Sequence, residues 1–149
     1  GTFTVTGGNL VGDNNFANAA TLNVNGGDFT GVTALANNGN GVINVAATRL
    51  LSAGAITNTA LGAIGNSGTL TSGAMIANAG ILNNNATGVI NGGVANIGTF
   101  TQLAGGVTNG GLTNTNIVNA AGTINGAIAN NAGTFEVLPP STDNTGVDC

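Results

Sequence analysis

The stretch "NAAGTINGAIANNAGTFEV", Asn119 to Val137, says nearly the same thing twice. Gly122-Thr123-Ile124 returns as Gly133-Thr134-Phe135, and Glu136 is the only charged side chain in it. Helix signals are poor, because Gly, Asn and Thr dominate and all three disfavour helix interiors. Short strand-like pieces recur instead: "TFTVT" at 2–6, "TLNVN" at 21–25, "GVINV" at 41–45, "GTLT" at 68–71 and "GTFEV" at 133–137. Each carries a large apolar or β-branched residue among Thr and Asn and ends near Gly or Asn, the mark of a short strand. Many short strands call for a search for a longer repeat.

Aligning the large apolar residues yields three series. The first is Phe3, Leu22, Ile43, Ile64, Leu82, Phe100, Ile117 and Phe135, with steps of 17 to 21 residues. The second is Leu10, Phe29, Leu50, Leu70, Ile90, Val107 and Ile124. The third is Phe16, Leu35, Ile56, Ile76, Val94, Leu112 and Ile128. The series interleave, so Ile124, Ile128 and Phe135 fall on successive sides of one coil. This pattern predicts an all-β fold, a three-sided parallel β-solenoid of about seven coils. Each coil has three short strands, each strand points one anchor inward, and equivalent anchors stack about 4.8 Å apart. Parallel crossovers favour a right-handed coil. A left-handed hexapeptide helix would need a strict step of six, which the chain does not keep. Hairpins compete for the same Asn-Gly turns, yet hairpins generate no three series with a common step.

Asn-Gly occurs at 25–26, 40–41, 91–92, 109–110 and 125–126. Tight corners need residues that enter the left-handed region, which Gly does freely and Asn tolerates. Stacked Asn side chains can also hydrogen-bond along the axis, as in cross-β ladders. The solenoid domain is expected over 1–137. Composition shifts at "LPPSTDNTGVDC", 138–149, where Pro139 and Pro140 have no N–H for a ladder; an extended tail or linker is expected there.

Composition narrows the function classes. Of 149 residues, 27 are Gly, 26 Asn and 21 Thr, while charged residues are 4% against about 25% in ordinary domains. Val, Ile and Leu recur throughout, which argues against low-complexity disorder. No apolar run reaches about 18 residues, so no membrane-spanning helix is expected. One Arg and no Lys leave nothing to hold a phosphate backbone, so no nucleic-acid partner is expected. His, Lys and Tyr are absent and the acids are scattered; no catalytic set, metal site or cofactor is expected, and the protein reads as a non-enzyme. "GGDF" at 26–29 lacks the acids and the α/β context of a nucleotide-cyclase signature. The sequon Asn85-Ala86-Thr87 is expected by chance in so Asn- and Thr-rich a chain.

Three features stand out from this uniformity. Asp28 precedes Phe29 and Arg49 precedes Leu50 in adjacent coils, so the two should meet as a surface ion pair. Cys149, the only cysteine, is a chain end or an intermolecular disulfide. Thr-x-Thr pairs, Thr69/Thr71 and Thr99/Thr101 among them, suggest a second reading in which uncharged Thr/Asn faces bind ice or a glycan.

The repeat resembles the β-helical shafts of filamentous-haemagglutinin-type exoproteins and bacterial autotransporter passenger domains. The resemblance rests on Asn66-Ser67-Gly68-Thr69-Leu70-Thr71, Asn96-Ile97-Gly98-Thr99-Phe100-Thr101 and Asn131-Ala132-Gly133-Thr134-Phe135-Glu136. It spans residues 1–137. It implies an extracellular, cell-surface right-handed β-helix used in adhesion, aggregation or biofilm, and it carries over no functional residue. The expected function is that of a non-catalytic building block of a surface fibre or adhesin. Its expected partners are copies of itself or adjoining solenoid segments, and a host or abiotic surface.

Overall fold

The computed structural model describes residues 1–12, 14–139, 142–143 and 147–148, with side chains as far as Pro139. Among them there is no helix, and every strand pairing is parallel. The chain is a parallel β-solenoid whose coils average about 19 residues. Its first face is an eight-stranded sheet: Thr2–Val5, Thr21–Val24, Val42–Val45, Ala63–Asn66, Ile81–Asn84, Thr99–Gln102, Ile117–Ala120 and Thr134–Val137. Eight strands make seven coil-to-coil steps, a stack of about 34 Å at the usual strand spacing.

The second and third faces belong to one 14-stranded sheet, because Asp28–Asn37 and Leu50–Asn58 run unbroken around the corner between them. A register shift between Phe29 and Val32 bends the first of these strands. In later coils glycine breaks the strand instead. Gly92-Gly93 and Gly110-Gly111 all have positive φ, between 80° and 113°, a region where a side chain would meet its own backbone. Three of the five Asn-Gly pairs therefore work as the sequence suggests, at 91–92, 109–110 and 125–126. At 25–26 and 40–41 the glycine is not left-handed; it is there for space. A Cβ on Gly26 would strike the Thr6 carbonyl in the coil below, and one on Gly41 would strike Asn37 Oδ1.

Strand alternation decides the core. Leu22, Ile43, Ile64, Leu82 and Phe100 are fully buried in register on the first face, and Leu35, Ile56, Ile76, Val94, Leu112 and Ile128 on the third. Three expected anchors are displaced by one residue. Ile117 is 40% exposed, and Val118 stands between Phe100 and Phe135. Leu50 faces outward, and Leu51 pairs with Phe29 and Leu70. Val107 is half-buried, and Thr108 is the inward residue between Ile90 and Ile124. The physical reason is period two: neighbouring residues in a strand take opposite faces, so a slip of one turns the side chain out. Thr108 is tolerated inside because its hydroxyl donates to Gln102 Oε1 at 2.8 Å.

Among the described residues the first coil is covered on one side only. Phe3 and Leu10 are 45% and 38% exposed there, and Phe16 is half-buried. Phe16 and Phe29 make an edge-to-face contact at 5.0 Å, with Phe3 5.9 Å from Phe16. At the other end strand pairing crosses the composition boundary at Val137. Thr142–Asp143 adds to Thr123–Asn125, and Val147–Asp148 adds to Ile128–Asn130.

Candidate functional site

The feature that most distinguishes this interior is polar. Two residues after each anchor of the third face comes an asparagine: Asn18, Asn37, Asn58, Asn78, Asn96, Asn114 and Asn130. Period two turns it inward with the anchor. Asn37, Asn58, Asn78, Asn96 and Asn114 are 0–1% exposed. Each Nδ2 donates to Oδ1 of the asparagine one coil on, and all six rungs are 2.8 Å. The same nitrogens also reach carbonyls at the corner where the chain turns back to the first face. Asn37 Nδ2 reaches Gly41 O at 2.8 Å, and Asn96 Nδ2 reaches Ile117 O at 2.8 Å. The amide thus adds a second donor to corner carbonyls such as Gly41 O, which also accepts the Ala63 N–H at 2.9 Å, and its own polar atoms are partnered, the condition for burying it.

The signal was present in the sequence as large apolar–small–Asn, in Phe16-Ala17-Asn18, Ile76-Ala77-Asn78, Val94-Ala95-Asn96 and Ile128-Ala129-Asn130. The expectation of stacked asparagines attached to the Asn-Gly corners, and one such row exists on the outer surface. Asn109 Nδ2 donates to Asn91 Oδ1 at 3.0 Å, and Asn125 Nδ2 to Asn109 Oδ1 at 2.9 Å. The buried row went unseen because its asparagines are not followed by glycine at a fixed distance.

A third, shorter row sits at the end of the first face. Asn66 Nδ2 donates to Asn84 Oδ1 at 2.9 Å, and Asn84 Nδ2 to Gln102 Oε1 at 3.1 Å. The residue below Asn66 is Val45, which has no donor to offer. Asn66 Oδ1 is accordingly buried without a partner.

Amides neither titrate near neutral pH nor attack a carbonyl. These rows can fix register and satisfy backbone, and they supply no acid, base or nucleophile. The charged groups are elsewhere. Arg49 Nη1 lies 4.0 Å from Asp28 Oδ1, with both side chains about one third exposed, at 32% and 37%. Asp28 Oδ1 also accepts the Leu50 N–H at 3.0 Å, so the carboxylate is tied to backbone as much as to the cation. A long, exposed pair of this kind contributes about 0–1 kcal/mol. Thr48, beside it, holds φ at 66° although it is β-branched. Glu136 is exposed on the last strand of the first face. Among the described residues no group of three His, Cys, Asp or Glu is placed to hold a metal ion. No described helix is long and apolar enough to cross a membrane. Cys149 and Asp13 lie outside the described residues.

The remaining surface feature is the open first coil. Thr2–Val5, Asn9–Val11 and Asn15–Asn18 each pair with one neighbouring strand among the described residues. Their outer edges, with Phe3 and Leu10 beside them, form a three-sided template for further β pairing.

Fold and side chains together define a parallel β-solenoid repeat protein with an uncharged, hydrogen-bonded interior. No protein-family description, curated protein or solved structure matches the chain.

Proposed function

We propose that the protein is a non-catalytic structural building block of an extracellular bacterial surface fibre. In this reading it resembles the β-helical shafts of filamentous-haemagglutinin-type exoproteins and autotransporter passengers. Its work is adhesion or aggregation, and it associates with copies of itself by stacking coil on coil. One observation carries the reading. The first coil offers three parallel strand edges around exposed Phe3 and Leu10. A further coil of the same shape, from an adjoining solenoid segment or from a second copy, would pair with all three edges while covering both side chains. Docking of that kind joins unlike surfaces and grows a filament where it does not close.

The near-absence of charge supports the same reading. Coil-on-coil stacking brings equivalent side chains within about 5 Å, where like charges repel. The test is sedimentation over a concentration series, with electron microscopy of the same samples, for the wild type and for Phe3→Asp. The proposal expects association that rises with concentration and is weakened by F3D. Monodisperse monomers at high concentration, with no fibres in the images, would overturn it.

A further inference from the structure

Five Asn-Gly pairs carry the same intrinsic chemistry. The glycine nitrogen can attack the asparagine Cγ, because no Cβ on the following residue obstructs the approach. The N–Cγ bond forms, the Cγ–Nδ2 bond breaks and ammonia leaves, giving a five-membered succinimide. Water then adds to either ring carbonyl and yields aspartate or isoaspartate. The glycine N–H proton ends on the departing amide nitrogen, and the net change is asparagine plus water to a carboxylate plus ammonium, with solvent supplying the water. The fold does not treat the five pairs alike.

At 91–92, 109–110 and 125–126 the asparagine side chains stand in the outer row. Asn109 Nδ2 is held by Asn91 Oδ1 at 3.0 Å, and Asn125 Nδ2 by Asn109 Oδ1 at 2.9 Å. The attacking nitrogens are engaged across coils as well: Gly92 N–H donates to Asn109 O at 3.1 Å, and Gly110 N–H to Asn125 O at 3.0 Å. Cyclisation there must break the row and the stack together. Asn40 is different. It is exposed, its side chain makes no hydrogen bond to a described residue, and it follows Gly39 at φ 53°. The Gly41 N–H is held only within its own turn, by Asn38 O at 2.9 Å. Asn25 is intermediate: its side chain is exposed, but the Gly26 N–H donates across coils to Val5 O at 2.9 Å.

We infer that Asn40-Gly41 is a site of spontaneous covalent modification by water, and that the outer Asn row protects the three later Asn-Gly pairs from the same reaction. The product places a new carboxylate at the corner between the third and first faces, in a chain whose formal net charge is -4. It also lengthens the backbone by one carbon wherever isoaspartate forms. Local opening of a turn is easier than opening across the stack. Asn40 should therefore react about tenfold or more faster than Asn109, the factor that roughly 1.4 kcal/mol of extra opening supplies.

The experiment incubates the folded protein at mildly alkaline pH. Peptide mapping by mass spectrometry then follows the gain of one mass unit at each site. Pepsin is the suitable protease, because the chain has one Arg and no Lys, and its acidic optimum halts the reaction. Expected is conversion first at Asn40, then at Asn25, and last at 91, 109 and 125. In denaturant the five rates should converge. Asn40→Gln should abolish the first event and leave the others unchanged. Equal rates at Asn40 and Asn109 in the folded protein would overturn the inference, as would an order that survives denaturation.

Discussion

Asn78 is the middle rung of the buried row, and its replacement tests whether that row holds the solenoid together. It is 1% exposed. It accepts from Asn58 Nδ2 at 2.8 Å and donates to Asn96 Oδ1 at 2.8 Å, to Thr99 O at 3.0 Å and to Gly80 O at 3.3 Å. Asn78→Ala removes both rungs. Asn58 Nδ2 keeps Gly62 O and Ile81 O, so its loss is modest. Asn96 Oδ1 loses the donor below it and is left buried, which costs about 1–3 kcal/mol. With about 1 kcal/mol for a lost net hydrogen bond, the expected destabilisation is roughly 2–4 kcal/mol. That corresponds to a fall in Tm of about 5–15 °C for a domain near this size.

Asn78→Asp sharpens the test, because it keeps the shape and removes the donors. Its carboxylate would face Asn96 Oδ1, Thr99 O and Gly80 O, all acceptors, so its pKa must rise on folding. A raised folded pKa means that the folded state holds its proton over a range where the unfolded state has lost it. Stability of N78D should then be greatest below the unfolded value of about 3.9 and fall as pH rises above it. The control is Asn119→Ala, on the outward side of the first face, expected within about 0.5 kcal/mol of wild type. Urea unfolding followed by far-UV circular dichroism is the assay, since the chain has no Trp or Tyr for fluorescence. If N78A costs no more than N119A, or N78D is no less stable at neutral pH than in acid, the row is ornament and the reasoning fails.

Three further outcomes follow from the same geometry. Val45→Thr should raise stability by about 1 kcal/mol, because its hydroxyl sits under the unpartnered Asn66 Oδ1 as Thr108 sits beside Gln102; Val24→Thr, which lies under Val45, should lower it, and equal effects in thermal melts would count against the idea. Thr48→Gly should stabilise by about 1 kcal/mol in the same melts by releasing a β-branched residue from φ 66°; a loss of stability would show that Thr48 is not strained. Arg49→Ala should change stability by less than about 0.5 kcal/mol, whereas Asp28→Ala should cost about 1 kcal/mol through the orphaned Leu50 N–H; the reverse order in urea titrations would give the ion pair the greater weight.

The amino-acid sequence determined the coil. A recurrence of large apolar residues every 16 to 21 positions, in three interleaved series, admits few folds but a parallel solenoid, and the strands stack in that register. The third series was fully legible because its anchors are flanked by Ala, Thr, Gly or Asn, with Met75 beside Ile76 the one large apolar neighbour. The other two were legible except at two of the adjacent apolar pairs, Leu50-Leu51 and Ile117-Val118, and at a buried hydroxyl, Thr108; at Val42-Ile43, Ile81-Leu82 and Val89-Ile90 the expected anchor is the buried one. Hydropathy ranks both members of such a pair alike, and only pairing with the coils above and below selects one. Stacking also showed which asparagines matter. With 26 in the chain, abundance says nothing of burial. An amide is stable in the interior only when another amide and a corner carbonyl stand within hydrogen-bond reach, and those partners are supplied by residues about one coil away. The repeat was fixed by local composition; the polar interior and the protected Asn-Gly pairs were decided by what each coil rests upon.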